Sequence, residues 1–219
     1  MEKIDFQIRL EQPADYRETE QMVREAFWNC YSPGCTEHYL LHVMRGSLNF
    51  VPELDFVAVA DNRIVGSIVF QKSFVLGDDG NRHDVLTMGP IAVLPSVQRW
   101  GIGRRLIEHA RAAAAAQGYL AILLCGDPGY YLKMGFTAAE RFGIRTSGNK
   151  YFAALHACPL CAGALENAAG RYFEDEAYLV DEVEAEAFDR QFPSKMRVVD
   201  TPAQRRFKEI LAMQKNYVG

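Results

Sequence analysis

The 219-residue sequence predicts an α+β fold. Two observations carry the prediction. Apolar runs of strand length and amphipathic runs of helical spacing follow the order strand, two helices, three strands, helix, strand, short helix, strand. Consecutive strands therefore sit together instead of alternating with helices throughout. The composition, 49% hydrophobic and 24% charged, is that of an ordinary soluble domain. A chain of this length holds one substantial core, or a domain with an appendage.

Each element has its own warrant. Phe6 to Leu10 alternates apolar and polar residues, as a half-buried strand does. Residues 13–28 form an amphipathic helix with Pro13 near its start and Met22, Val23, Ala26 and Phe27 facing inward. Tyr31-Ser32-Pro33-Gly34 is a turn. Thr36 caps a second helix that carries Leu40, Leu41, Val43 and Met44 and closes at Gly46. Phe56–Ala60 and Ile64–Phe70 are strands joined at Asp61-Asn62-Arg63, and a polar tip, Gly77–Asn81, separates them from the next strand. Tyr119–Cys125 and Tyr151–His156 read as further strands. Ala177–Val180 reads as a short strand, and Val183–Gln191 as an acidic helix ended by Pro193. Thr201-Pro202 opens a terminal helix with Phe207, Ile210, Leu211 and Gln214 on one face. That face docks on its own domain or on a second copy.

The stretch from Met88 to Leu106, MGPIAVLPSVQRWGIGRRL, organises the rest. An apolar strand leads into a glycine-bearing turn, Gln98 to Gly103, and then a helix with Leu106, Ile107, Ala110, Ala113 and Ala114 on one stripe, ended by Gly118. A strand, a turn and a helix in succession aim unpaired backbone N–H groups at one place, and their natural partner is an anion. Arg99, Arg104 and Arg105 crowd the same turn, although a helix N-terminus disfavours cations. The third glycine of a dinucleotide fingerprint is replaced by Leu106, and no G-x-x-x-x-G-K-[ST] loop occurs.

What the turn resembles is Q/R-x-x-G-x-G/A, the acyl-coenzyme A pyrophosphate loop of the GNAT superfamily of N-acetyltransferases. A helix and a strand further on, Asp127-Pro128-Gly129-Tyr130-Tyr131-Leu132-Lys133-Met134-Gly135-Phe136 resembles the second signature of that superfamily. It is similar to the G-D-P-x-Y-Y-x-x-x-G-F stretch of a bacterial subgroup of predicted acetyltransferases. The resemblance covers about residues 4–157, which gives an expected acetyltransferase domain over 1–157 and a C-terminal extension, 158–219, packed on it.

The resemblance implies a three-layer αβα arrangement whose mixed, mostly antiparallel sheet has a splayed central strand pair. Gly89-Pro90 sits where the strand of that pair would be broken by a bulge. Acetyl-CoA would lay its pantetheine arm along Ile91, Ala92 and Val93 and its diphosphate against Gln98, Arg99, Trp100, Gly101, Ile102, Gly103 and Arg104, with Asp127, Gly129 and Tyr131 also at the cofactor. Tyr131 would protonate the departing thiolate, with Tyr130 as its neighbouring alternative; its reference pKa of about 10 suits that task. The amine must lose a proton. Met88 and Pro90 occupy the strand where many relatives place a glutamate, so Glu37 on the second helix, or a chain of waters, is the candidate base.

Other readings are limited by composition. A net charge of −4 argues against nucleic-acid binding. No apolar run reaches the ~20 residues of a membrane span, and the charged start MEKIDFQIRL is not a signal peptide, which points to the cytoplasm. His38 and His42 share a helix face without a third ligand, so no metal is expected. Cys158-Pro159-Leu160-Cys161 lacks a second pair, and its thiols read as buried or incidental. The expected function is transfer of an acetyl group from acetyl-CoA to a primary amine of a small molecule, by a monomer or homodimer. A protein N-acetyltransferase and a non-catalytic acyl-CoA sensor are the alternatives.

Overall fold

Asp61 and Asn62 set the first hairpin. Both take left-handed φ values, 49° and 59°, the backbone twist that a two-residue link between antiparallel strands needs. Here β2 (Phe56–Ala60) turns into β3 (Arg63–Gly77). The computed structural model describes residues 5–218, so the first four residues of the expected 1–157 domain lie outside the description. The fold is α+β, and its strand pairs are mixed but mostly antiparallel. The chain divides into two units, each built from three stretches of sequence.

The first unit comprises Met1–Phe70, Gly89–Ala110 and Glu176–Arg205. Its strands run β1 (Gln7–Leu10), β2, β3, all antiparallel, with Gln7 opposite Val59 and Phe56 opposite Ile68. Helices α1 (Tyr16–Phe27) and α2 (Glu37–Met44) supply Met22, Val23, Leu41 and Met44 to a core shared with Val57, Ile64, Val69 and Ala92. These are the apolar positions that the helical and strand periods mark in the sequence.

Behind this core lies a charged network. The Arg45 guanidinium reaches Glu11 at 2.8 Å and Glu20 at 2.9 Å, and Glu20 holds the His42 ring at 2.9 Å. Asp55 is buried beside Glu11, and burial together with that neighbour pushes its carboxyl up to about 9. An acid raised in the folded state keeps a proton that the unfolded chain has already released. Folding stability then falls as pH rises from about 4 toward 9. Asp55→Asn, neutral at every pH, is expected to stabilise the protein at pH 8 by about 1 kcal/mol and to give no gain at pH 4. Urea melts at the two pH values measure the difference; an equal effect at both would be the contrary result.

The second unit comprises Gln71–Met88, Arg111–Asp175 and Arg206–Gly219. Within it the part of β4 (Arg82–Val93) before Gly89 pairs in parallel with β5 (Ala121–Cys125) at Leu86↔Ile122 and Thr87↔Leu123. Strand β5 pairs antiparallel with β9 (Leu155–Pro159), and β9 with β6 (Thr137–Ala138). On β3, β10 (Gly170–Phe173) runs antiparallel with Phe173 opposite Phe74, and it also pairs with β7 (Ile144–Arg145). The core contains Val75, Val85, Leu123, Leu155, Ala157 and Tyr172. Inside it the buried Thr87 hydroxyl donates to Ser73 at 2.8 Å and contacts the Tyr172 hydroxyl.

Several elements differ from expectation. The strand expected over 151–156 is two: β8 (Lys150–Phe152) and β9 diverge at an Ala153-Ala154 turn. Around that turn the Ala153 N–H donates to Met213 O and the Gly126 N–H to Ala154 O. Residues 177–180 are not a strand. A single 3₁₀ turn, Glu176–Tyr178, packs Ala177 and Tyr178 on the first core, and the Tyr178 hydroxyl donates to Gly89 O at 2.7 Å. The acidic helix is α5 (Glu182–Asp189), capped by the Asp181 carboxylate. The terminal helix α6 (Pro202–Leu211) stops before Gln214, which begins β11 (Gln214–Asn216) against β8. Ladder hydrogen bonds to β8 are available there and a further helical turn would forgo them.

Candidate functional site

In the first unit the site is a backbone feature. Pro95 starts a 3₁₀ turn, Pro95–Val97, after which Arg99 and Gly101 both take left-handed φ, 68° and 86°. The chain then enters α3 (Ile102–Ala116). Among the described residues, the N–H groups of residues 98–104 donate to no hydrogen bond within the chain; the first bonded amide is that of Arg105, to Gly101 O at 3.0 Å. Seven successive unpaired donors at a helix N-terminus are an arrangement that an anion would satisfy.

Close packing places this turn. A Cβ on Gly66 of β3 would lie 3.1 Å from Ala92 O, Ile102 Cγ2 and Leu106 Cδ1. Glycine there lets α3 settle onto the strand. Leu94 N–H donates to Val65 O, whereas Val93 O faces the other way and accepts from Gln98 Nε2 at 3.0 Å. By strand alternation the backbone of Ile91 faces the same side as that of Val93. Ala92 is buried in the core; Ile91 and Val93 are half-buried, and Trp100 and Gly101 are exposed. Of the three arginines, Arg105 lies over the Phe6 ring at 4.3 Å. The exposed Arg99 and Arg104 have no partner among the described residues.

Glu37 lies in the same unit, at the start of α2. The Thr36 hydroxyl makes no capping bond, contrary to expectation; instead the Glu37 carboxylate accepts the Thr36 N–H at 3.0 Å. Burial pushes the Glu37 carboxyl up from its usual range, although its own and the Thr36 amide oppose the shift. The thiols of Cys30 and Cys35 are in turn pushed up by burial and by the Glu37 charge. His38 and His42 are held apart in role: His38 is fully buried against Asp189, and His42 bonds Glu20. Among the described residues no three His, Cys, Asp or Glu side chains are grouped to hold a metal ion.

The second unit holds the tyrosines. Strand β5 ends at Cys125, and Asp127 then caps α4 (Pro128–Tyr131) by accepting the Gly129 N–H at 2.8 Å. The Tyr130 and Tyr131 amides donate to Asp127 O at 3.0 and 3.1 Å. The Tyr131 ring covers Gly126 so closely that a Cβ there would collide with Tyr131 Cε2. Its other faces are bounded by the rings of Phe136, edge-on at 5.8 Å, and His156, at 5.9 Å. His156 is fully buried and shares a hydrogen bond with Gly126 O, and burial lowers its pKa. Tyr130 is 41% exposed.

Three groups here carried no readable sequence signal. Arg206 clasps both oxygens of Asp127, at 3.0 Å each. Glu174, directly after β10, and Cys125 both keep exposed surface. Crowding by neighbouring protein atoms nonetheless pushes the Glu174 carboxyl up, and the same crowding, with the Glu174 charge second, pushes up the Cys125 thiol. In the first unit, the Tyr178 hydroxyl occupies Gly89 O. Only spatial proximity reveals them, since each pairing joins residues tens of positions apart. Cys158 is buried, Cys161 is exposed, and all five cysteines are free.

A sequence model of the acetyltransferase (GNAT) domain matches residues 53–138. The Escherichia coli K12 protein YhbS, described as an uncharacterized N-acetyltransferase, is 28% identical over 139 residues, 63% of this chain and 77% of its own length. Its crystal structure, in complex with CoA, superposes with a TM-score of 0.72 at 24% identity, over 82% of this chain and 95% of that one. A GNAT family acetyltransferase of Brucella melitensis, in complex with acetyl-CoA, gives 0.63 at 24% identity, over 80% and 98%. The E. coli ribosomal-protein-S18-alanine N-acetyltransferase gives 0.51 at 18%, over 73% and 97%. The shared feature is the fold.

Proposed function

We propose that this chain, whose residues 53–138 match a model of the GNAT acetyltransferase domain, transfers an acetyl group from acetyl-CoA to a primary amine of a small molecule, by direct attack in a ternary complex. The observation that carries this reading is the run of unpaired amides at 98–104 with the unpaired guanidinium groups of Arg99 and Arg104 beside it. Donors and charge of this kind suit the diphosphate of coenzyme A. The structures of YhbS and the Brucella acetyltransferase, in complex with CoA and acetyl-CoA, support the same ligand.

Each residue then has a task. Residues 98–104 hold the diphosphate, and the backbone of Ile91, Ala92 and Val93 aligns the pantetheine arm as an added strand would. Holding both reactants together supplies much of the acceleration. Tyr131 gives its phenolic proton to the departing thiolate. Glu37 takes the proton of the ammonium acceptor, directly or through water; its raised pKa brings it nearer the pH at which it must work. Among acceptors, a small amine is favoured over a protein because the sequence has no basic or extended recognition segment.

Calorimetry with acetyl-CoA and a free-thiol assay over a panel of amines test this. Saturable binding and amine-dependent thiol release are the expected results. Binding without release for any amine would point instead to an acyl-CoA sensor, and absence of binding would remove the reading altogether.

A further inference from the structure

We propose that Arg206, on the C-terminal helix α6, is a positioning residue for Tyr131, acting through a two-pronged clasp on Asp127. The proposal rests on the catalytic role given to Tyr131 above. Its geometry lies wholly within the second unit. Arg206 Nε lies 3.0 Å from Asp127 Oδ2 and Nη2 3.0 Å from Oδ1, the parallel fork that fixes a carboxylate in orientation as well as place. The same carboxylate takes the Gly129 N–H at 2.8 Å, and the Asp127 carbonyl takes the amides of Tyr130 and Tyr131. The first turn of α4 thus hangs from one residue, and that residue is held by one arginine.

Helix α4 needs such an anchor. At four residues it is too short to be stable by itself. It is followed by a 3₁₀ turn, Leu132–Met134, and by Gly135 at a φ of 84°. The Tyr131 ring rests on Gly126, so a small rotation of Asp127 would slide the ring across a residue with no side chain to stop it. The ion pair itself is of little value to folding, because both side chains are well exposed, 43% for Arg206 and 37% for Asp127. What the clasp adds is the aim of the hydroxyl.

Among the described residues Arg206 makes one other ion pair, the i,i+3 pair with Glu209 at 3.2 Å, so Glu209→Gln serves as a control that keeps the clasp. In the full chain, Arg206→Gln is expected to speed hydrogen exchange at the Gly129, Tyr130 and Tyr131 amides about tenfold and to leave the α3 amides unchanged. It is expected to lower kcat for amine acetylation by about 10–100-fold, the scale of a misplaced reacting group. KM for acetyl-CoA should stay within about twofold. Arg206→Lys, which keeps the charge and loses the fork, should fall between wild type and Arg206→Gln. Unchanged exchange in Arg206→Gln would overturn the proposal. So would a loss in kcat matched by Glu209→Gln, or one carried by KM. If the wild type acetylates no amine, the catalytic reading falls, while the exchange experiment still decides whether Arg206 holds α4.

Discussion

Replacing Tyr131 with phenylalanine is expected to lower amine acetylation by about 10²–10⁴-fold, the usual contribution of a positioned proton donor, while acetyl-CoA still binds. The substitution is informative because the ring and the hydroxyl have separable jobs. Packing of the ring on Gly126 and against Phe136 and His156 needs only its carbon framework, which phenylalanine keeps. The proposed diphosphate site at 98–104 is made of main-chain amides, which no side-chain change at residue 131 removes. The loss should therefore appear in kcat and not in the dissociation constant. Steady-state kinetics beside calorimetry separate the two. Full turnover in the variant would take the role away from Tyr131; Tyr130→Phe is then the next variant to make.

The second large effect concerns stability. Asp189→Asn is expected to destabilise the fold by about 3–5 kcal/mol, because it leaves a buried guanidinium without its counter-charge. The Arg24 side chain is 2% exposed and lies 2.6 Å from Asp189 Oδ1, with the Trp28 ring 4.2 Å from the centre of its charge. His38 Nε2 sits 3.1 Å from the same carboxylate oxygen and is fully buried. Asparagine can accept one of these contacts but offers no charge. A fall in Tm of about 10 °C or more follows for a chain of this size. A Tm within two or three degrees of wild type would mean that water reaches Arg24 more freely than its burial indicates.

The sequence was most legible where a local rule decides the structure. Asp61-Asn62 marked a hairpin because both residues tolerate positive φ, and the hairpin is there. Met22, Val23, Leu41 and Met44 stood out by period and share one core. The turn before α3 was visible through Gly101 and its neighbours. Short pieces were not visible: β6 and β7 have two residues each, too few for any period to show. Ala177–Val180 looked like a strand because a run of four apolar residues is too short to show a helical period; residues 176–178 instead form a 3₁₀ turn, tied down by the bond from the Tyr178 hydroxyl to Gly89 O, 89 positions away. The same holds for the candidate site. Tyr131 came with a motif, whereas Arg206 is one basic residue on a helix with other charges and gained meaning only beside Asp127.

How the last third of the chain is distributed limits how far the protein can be shortened. A fragment ended at residue 157, the boundary suggested by the sequence, would lack α5 and with it the Asp189 that neutralises Arg24. It would also lack β10 from the edge of β3, and β11 from the edge of β8. Bared strand edges invite pairing with other chains. Trimming toward the stretch that matches the domain family would thus yield an aggregating polypeptide, and any fusion or tag is better joined at a terminus than inserted at 157.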